Sequence, residues 1–362
     1  MIPVTILTGF LGSGKTTLLK RILNEQHGMK IAVIENEFGE ENIDNEILVQ
    51  DSQEQIIQMS NGCICCTIRG DLARVLGDLA QQKRDGKLDF DRVVIETTGL
   101  ANPGPVAQTF FMDNEIAGEF LLDAIITLVD AKHGNHQLDE HEVVQRQVGF
   151  ADRLFVTKAD LVDAGELGDL RHRLMHMNPR AQIREVNFGE ADIKEVFDLR
   201  GFNLNAKLEI DPDFLAEDDH DHAHHDHDHA HAHDHNHAGC DHDHGKCNHE
   251  GHDHGHHHHH AHHDDKIKSF VYRSDRPFDP NRLEDFLGGI LQIYGERLLR
   301  YKGVLYMKGV DRKVVFQGVH QLMGSDLAAK WLPIEKKGSK MVFIGIELPQ
   351  DLITDGLDAC LA

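Results

Sequence analysis

Apolar residues in the first two hundred positions fall into short, largely apolar runs separated by stretches with helical spacing. The runs at 4–8, 30–34, 92–95, 124–129, 153–157 and 181–186 are four to six residues long. That is too short for helices and too continuously apolar for strands wet on one side, so they read as strands buried on both faces. Between them Leu18, Leu19, Ile22 and Leu23 share one helical face, and similar periodicity covers 67–82, 137–149, 162–177 and 192–200. This alternation predicts a doubly wound, mostly parallel α/β sheet with helices on both sides. Ligands of such sheets gather at the carboxyl ends of the strands, where Glu35, Glu96, Asp130 and Lys158 fall.

The pattern then stops. Residues 216–265 are a low-complexity mixture of His, Asp, Gly and Ala that holds 22 of the 29 histidines. With almost no apolar side chain beyond alanine, this tract cannot offset the entropy of ordering and is expected to be disordered. An expression tag is a poor reading, because tags are terminal and rarely interleave aspartate. From Lys266 the globular pattern resumes. Strands are expected near 270–272 and 341–348, a hairpin at 304–307 and 314–317, and helices at 282–293 and 350–361. Antiparallel strands with helices on one face predict a smaller α+β domain. The expected division is a nucleotide domain over 1–205, a linker and metal-rich tract over 206–265, and the α+β domain over 266–362.

Charge and cysteine usage narrow the function. Net charge is −24 over 362 residues, and 13 of the acidic residues lie in 216–265 against a single lysine. This argues against a nucleic-acid backbone or an anionic membrane as partner. No apolar run approaches the roughly 20 residues that span a bilayer, and the start of the chain carries no basic leader, so a cytoplasmic location is expected. Three of the six cysteines lie within four residues, Cys63-Ile64-Cys65-Cys66. A vicinal disulfide there would be strained, which favours ligand or redox chemistry over a structural staple.

Residues 9–16 read Gly9-Phe10-Leu11-Gly12-Ser13-Gly14-Lys15-Thr16 and fit G-x-x-x-x-G-K-[ST] throughout. They leave a strand and open a helix, so backbone N–H groups can close around phosphate oxygens at the positive end of the helix. Lys15 would reach the β- and γ-phosphates and the Thr16 hydroxyl would hold Mg²⁺. Downstream, Glu96 ends a strand and can bind Mg²⁺ through water, while the Gly99 N–H can sense the γ-phosphate. In Thr157-Lys158-Ala159-Asp160, the Asp160 carboxylate can accept the guanine N1–H and N2–H₂ donors, with the Lys158 stem over the ring. The common version of this motif starts with Asn; this one starts with Thr. An Asp in an ordinary strand-to-helix turn would look the same.

Cysteines at i, i+2 and i+3 cannot all reach one tetrahedral ion without an irregular turn, which Gly62 helps make possible. One or two of Cys63, Cys65 and Cys66 are therefore expected to ligate together with groups from elsewhere. Glu35 and Glu40 lead the candidates, because they follow a strand read as lying beside the phosphate loop. Zinc accepts such S and O donors. A redox role for the thiols, and a solvated loop for the acids, are the competing readings. The imidazoles of the tract would give many weak, exchangeable sites suited to capture and storage. The remaining histidines read as surface residues, with His133, His136 and His141 able to form a local cluster.

Residues 9–17, 35–40, 62–66, 96–99 and 157–160 stand in the order found in the CobW-like P-loop GTPases. The chain resembles the zinc-binding members of that family over most of its ordered length, and Leu299-Arg300-Tyr301-Lys302-Gly303 resembles their second domain. The resemblance implies GTP hydrolysis with Mg²⁺ and catalytic roles for Lys15, Thr16, Glu96 and Gly99. It places the nucleotide on residues 9–17, including Thr17, with Lys158 and Asp160. It also implies zinc held through the cysteine motif, with cobalt or nickel as alternatives, and delivery to client metalloproteins. Its zinc ligands carry over to Glu35, Glu40 and Cys65. A metal-dependent homo-oligomer, a zinc buffer and a nickel or cobalt insertase stay open at this point.

Overall fold

A computed structural model describes residues 1–25, 27–35, 68–202 and 265–362, with residues 68–71 described by backbone alone. The expected strands assemble into a six-stranded, wholly parallel sheet: β1 (Ile2–Gly9), β2 (Ile31–Glu35), β3 (Arg92–Glu96), β4 (Phe120–Asp130), β5 (Arg153–Thr157) and β6 (Gln182–Glu185). Their order is β2-β3-β1-β4-β5-β6. Alternate strand residues feed opposite faces. Leu7, Val33, Val94 and Phe155 pack with Leu18, Leu19, Ile22 and Leu23 of α1 (Lys15–Asn24) and Val196 of α8 (Ile193–Val196). Val4, Ile6, Ile34 and Ile95 face the other way. There they meet α2 (Ile68–Arg84), α3 (Pro103–Met112), α6 (Glu142–Phe150) and α7 (Ala164–Met177).

The second sheet is antiparallel, in the order β10-β9-β8-β11-β7. Its strands are β7 (Ile267–Ser274), β8 (Leu298–Leu305), β9 (Arg312–Val319), β10 (Leu322–Lys330) and β11 (Ser339–Ile346). Helices α9 (Pro280–Tyr294) and α10 (Gln350–Ala359) cover one face through Leu283, Leu287, Ile290, Ile353 and Leu357. The opposite face joins the core of the first sheet: Leu299, Val319, Val342 and Ile344 pack in one cluster with Val148 and Phe150. At this junction Arg300 donates to Asp152 at 2.8 and 2.5 Å, and to the carbonyls of Phe150 and Gly201. Both side chains are almost wholly buried, and the Asp152 carboxylate also accepts from the Ile125 N–H. A buried ion pair is tolerable only when its remaining donors and acceptors are satisfied in this way.

Several expectations are corrected. The 137–149 helix is two helices, α5 (Gly134–Glu140) and α6, separated by an extended His141. The 192–200 helix ends at Val196, and Asp198 and Arg200 then take left-handed backbone that a helix cannot contain. The first hairpin strand begins six residues earlier than read, at Leu298 rather than 304. Helices α3 and α4 (Asn114–Glu119) and strand β10 went unread. The strand ending in Glu35 is not adjacent to β1, because β3 lies between them.

Candidate functional site

The loop between β1 and α1 shows why its sequence needs glycine and lysine. Gly14 caps α1 at φ 96°, a left-handed geometry that a side chain would strain. Lys15 turns back into the loop and donates to the carbonyls of Gly9 at 2.9 Å and Phe10 at 3.2 Å. Burial pushes its ammonium below the ordinary lysine range, while Glu96 pulls the other way. A desolvated cation hydrogen-bonded to neutral carbonyls is disposed to exchange them for anionic oxygens. Ser13 is fully buried, and its Oγ has no hydrogen-bond partner among the described residues. The orphaned hydroxyl and the buried cation fit a bound phosphate.

Strand β3 runs beside β1 and delivers the next groups. Thr97 donates its N–H to the Leu7 carbonyl, and its hydroxyl donates to Thr8 Oγ1 at 2.9 Å. One residue earlier, Glu96 Oε1 accepts from Thr16 Oγ1 at 2.8 Å. A hydroxyl and a carboxylate joined at the helix start form a donor set suited to a hard, oxygen-seeking cation such as Mg²⁺. Gly99 lies against the phosphate loop so closely that a Cβ there would sit 2.5 Å from the Leu11 nitrogen. Its carbonyl and that of Ala101 accept from the Nε2 of fully buried Gln147, at 3.1 and 3.0 Å.

A third corner forms where β5 ends. Thr157, at the position usual for Asn, donates its hydroxyl to the Ser13 carbonyl at 2.8 Å and so ties this motif to the phosphate loop. Lys158 has left-handed backbone (φ 56°), and its ammonium pairs with Asp130 at 2.6 Å. Asp130 is itself fixed by the N–H groups of Lys132 and His133. Asp160 is exposed on the following 3₁₀ turn (Ala159–Leu161), whose first N–H donates to Asn187 Oδ1 at 3.0 Å.

Of the predicted metal ligands only Glu35 lies within the described residues. It ends β2 in direct register with Glu96 of β3, about one strand spacing of 4.8 Å away, and is half-buried. Glu35, Glu96 and Thr16 thus step across one edge of the sheet. Glu40, Cys63, Cys65 and Cys66 fall outside the described residues. Among the described residues no group of three or more His, Cys, Asp or Glu could hold a metal, so His133, His136 and His141 make no cluster. The His141 ring instead stacks on Phe10, centroids 4.7 Å apart.

A family model for the CobW/HypB/UreG nucleotide-binding domain matches residues 3–185, and one for the cobalamin synthesis protein CobW C-terminal domain matches 267–361. The chain belongs to the CobW/HypB/UreG family. Among its relatives is the zinc chaperone YjiA of Escherichia coli, 39% identical over 97% of this chain and 96% of that one. The crystal structure of Zn(II)-bound YjiA GTPase matches with a TM-score of 0.70 at 33% identity, over 100% of this chain and 99% of that one. The zinc-regulated GTPase metalloprotein activator 1 of Schizosaccharomyces pombe is 39% identical over 56% of this chain and 50% of its own.

Three contributors to this CobW-family site escaped the sequence reading. Asn187 had a faint signal, since it follows a strand as the other site residues do. Gln147 could have been noticed as a polar residue set among the buried positions of α6. The Thr8–Thr97 bond had no signal, because it depends on β3 lying beside β1. No helix among the described residues is long and apolar enough to cross a membrane.

Proposed function

We propose that the chain is a GTP-dependent zinc metallochaperone that hydrolyses GTP and hands its ion to client metalloproteins. The observation that carries this reading is the register of Glu35 with Glu96, whose side chain is bonded to Thr16. A ligand on β2 and the groups that surround a γ-phosphate then share one edge. In this reading Lys15 holds the β- and γ-phosphate oxygens. Thr16 and Glu96 hold Mg²⁺, which when bound neutralises charge on those oxygens. The Gly99 N–H contacts the third phosphate, Asp160 accepts from guanine, and the Lys158 stem covers the ring. Glu35 and Glu40, with thiolates from Cys63, Cys65 and Cys66, hold zinc as cargo, and cobalt or nickel would compete for the same donors. The relatives described as a zinc chaperone and a GTPase metalloprotein activator support both halves of the reading.

Binding at the two places is then reciprocal, and a coupling of about 1–3 kcal/mol changes zinc affinity roughly 5–150-fold. The test is the zinc dissociation constant of the tightest site, measured with zinc limiting, in GDP and in a non-hydrolysable GTP analogue. Equal constants defeat the proposal. They would favour the second reading, a zinc buffer, for which the tract with 22 of 29 histidines already speaks.

A further inference from the structure

Gln147 lies inside α6 with no exposed surface. Its Nε2 donates to the carbonyls of Gly99 at 3.1 Å and Ala101 at 3.0 Å. A primary amide has two N–H hydrogens, so this pair of bonds uses its whole donor capacity. The Oε1 of the same amide is buried and has no hydrogen-bond partner among the described residues. An acceptor left buried and unmet is costly, and methionine would fill the same space without that cost. The packing of α6 therefore does not by itself account for an amide here.

The helix that carries this amide is fixed along its length. The Thr127 hydroxyl of β4 donates to the Gln147 carbonyl at 2.7 Å. Fully buried Asn178 donates through Nδ2 to the carbonyls of Val148 at 2.8 Å and Ala151 at 2.9 Å. Val144 and Val148 belong to the core cluster that includes Ile125 and Val129 of β4. A side chain mounted on such a frame can hold a loop to a set position.

The loop it holds joins β3 to α3. Thr97 anchors the start on Leu7 and Thr8 of β1, and Asn102 caps α3 at the end. Between them the Ala101 N–H closes a turn onto the Thr98 carbonyl at 3.1 Å. Gly99 packs on Leu11 of the phosphate loop and has no Cβ to restrict its dihedrals. Two bonds from one amide, to carbonyls two residues apart, supply a restriction that the missing side chain does not. With its carbonyl held, the Gly99 N–H has less room to swing.

We propose that Gln147 is a positioning residue for GTP hydrolysis: it keeps the loop where the Gly99 N–H meets the third phosphate. This role rests on the reading of Gly99 as the group that contacts that phosphate. Gln147 is fully buried and acts only through the loop. A misplacement of about 1 Å caused away from the chemistry can cost on the order of 10²-fold in rate. GDP carries no third phosphate, so its binding does not register where the loop lies.

The test uses the full chain with Mg²⁺ and compares the parent with Gln147→Met and Gln147→Asn, rates being scaled to the sites that bind GDP. Methionine removes both donors at nearly constant volume, whereas asparagine keeps the amide and withdraws it by one methylene. Turnover at saturating GTP should fall by roughly 10²-fold in the Met variant and by less in the Asn variant. The GDP dissociation constant should stay at the parent value in both. Parent turnover in the Met variant overturns the proposed role. So does a matching loss of GDP affinity in both variants, which would make Gln147 a support of the fold alone. Hydrogen exchange over residues 97–102 of the parent checks Gly99 separately. It should be slower with a non-hydrolysable GTP analogue than with GDP. Equal exchange takes Gly99 away from the third phosphate, and the role of Gln147 falls with it. Slower exchange beside parent turnover in the Met variant sinks the role of Gln147 and leaves that of Gly99 standing.

Discussion

The two sheets of this chain differ in where they put chemistry. In the parallel sheet every strand ends at the same edge, so Gly9, Glu35, Glu96, Asp130 and Thr157 arrive together although 148 residues separate the first from the last. In the antiparallel sheet successive ends point opposite ways, and no such edge exists. Its most demanding polar residue, Arg300, is spent on the junction with the first sheet. The topology thus predicts that substitutions in one sheet act on turnover and in the other on stability.

Three experiments can break or sharpen that division. The largest effect is expected from Arg300→Ala, which takes the guanidinium away from the buried Asp152 carboxylate and costs about 3–5 kcal/mol in urea unfolding. Hydrolysis per folded molecule should stay at the parent rate, and a loss of turnover in the folded fraction would break the division. Lys15→Ala should do the reverse. On the proposed role of Lys15, its removal should cost about 10²–10³-fold in GTP turnover. The urea midpoint should hold or rise, because the buried ammonium sits in an environment that disfavours its charge. Unchanged turnover would refute the assignment of the loop.

The smallest effect is expected at His320, which is half-buried at the junction with its ring edge-on to Phe150. Burial holds its pKa below the ordinary 6.5, partly opposed by a hydrogen bond to the Gly295 carbonyl. Above 6.5 the ring is neutral whether the chain is folded or not. As pH falls through that value the unfolded chain takes up the proton first, so stability is lost toward acid. Asn tolerates the left-handed backbone at this position (φ 54°). His320→Asn should therefore narrow the difference between urea midpoints at about pH 7.5 and about pH 5.5. An undiminished difference would show that the protonated ring is accommodated without cost.

What could be read in advance followed the same division. Strands of the parallel sheet are buried on both sides and announce themselves as apolar runs, and the phosphate loop carries its chemistry in local order. Helix α3 was missed because Pro103, Gly104 and Pro105 look like a loop. Yet Asn102 caps it and Pro103 sits in the first turn, where a missing N–H costs nothing. Strand β10 lies at a sheet edge with most residues exposed, so no apolar alternation marks it. Gln147, Asn187 and the Thr157–Ser13 bond depend on which segments meet in three dimensions, and neither local periodicity nor motif spacing encodes that.

Helix α6 has a consequence for communication. Gln145 accepts from the N–H groups of Lys266 and Ile267 at the entry to β7, Gln147 grips the Gly99 loop, and a Cβ on Gly149 would collide with Leu299 of the second sheet. These residues alternate sides along barely more than one turn. The loop packed on residues 9–16 and the second sheet are bolted to the same short rod, so a shift of either is felt by the other.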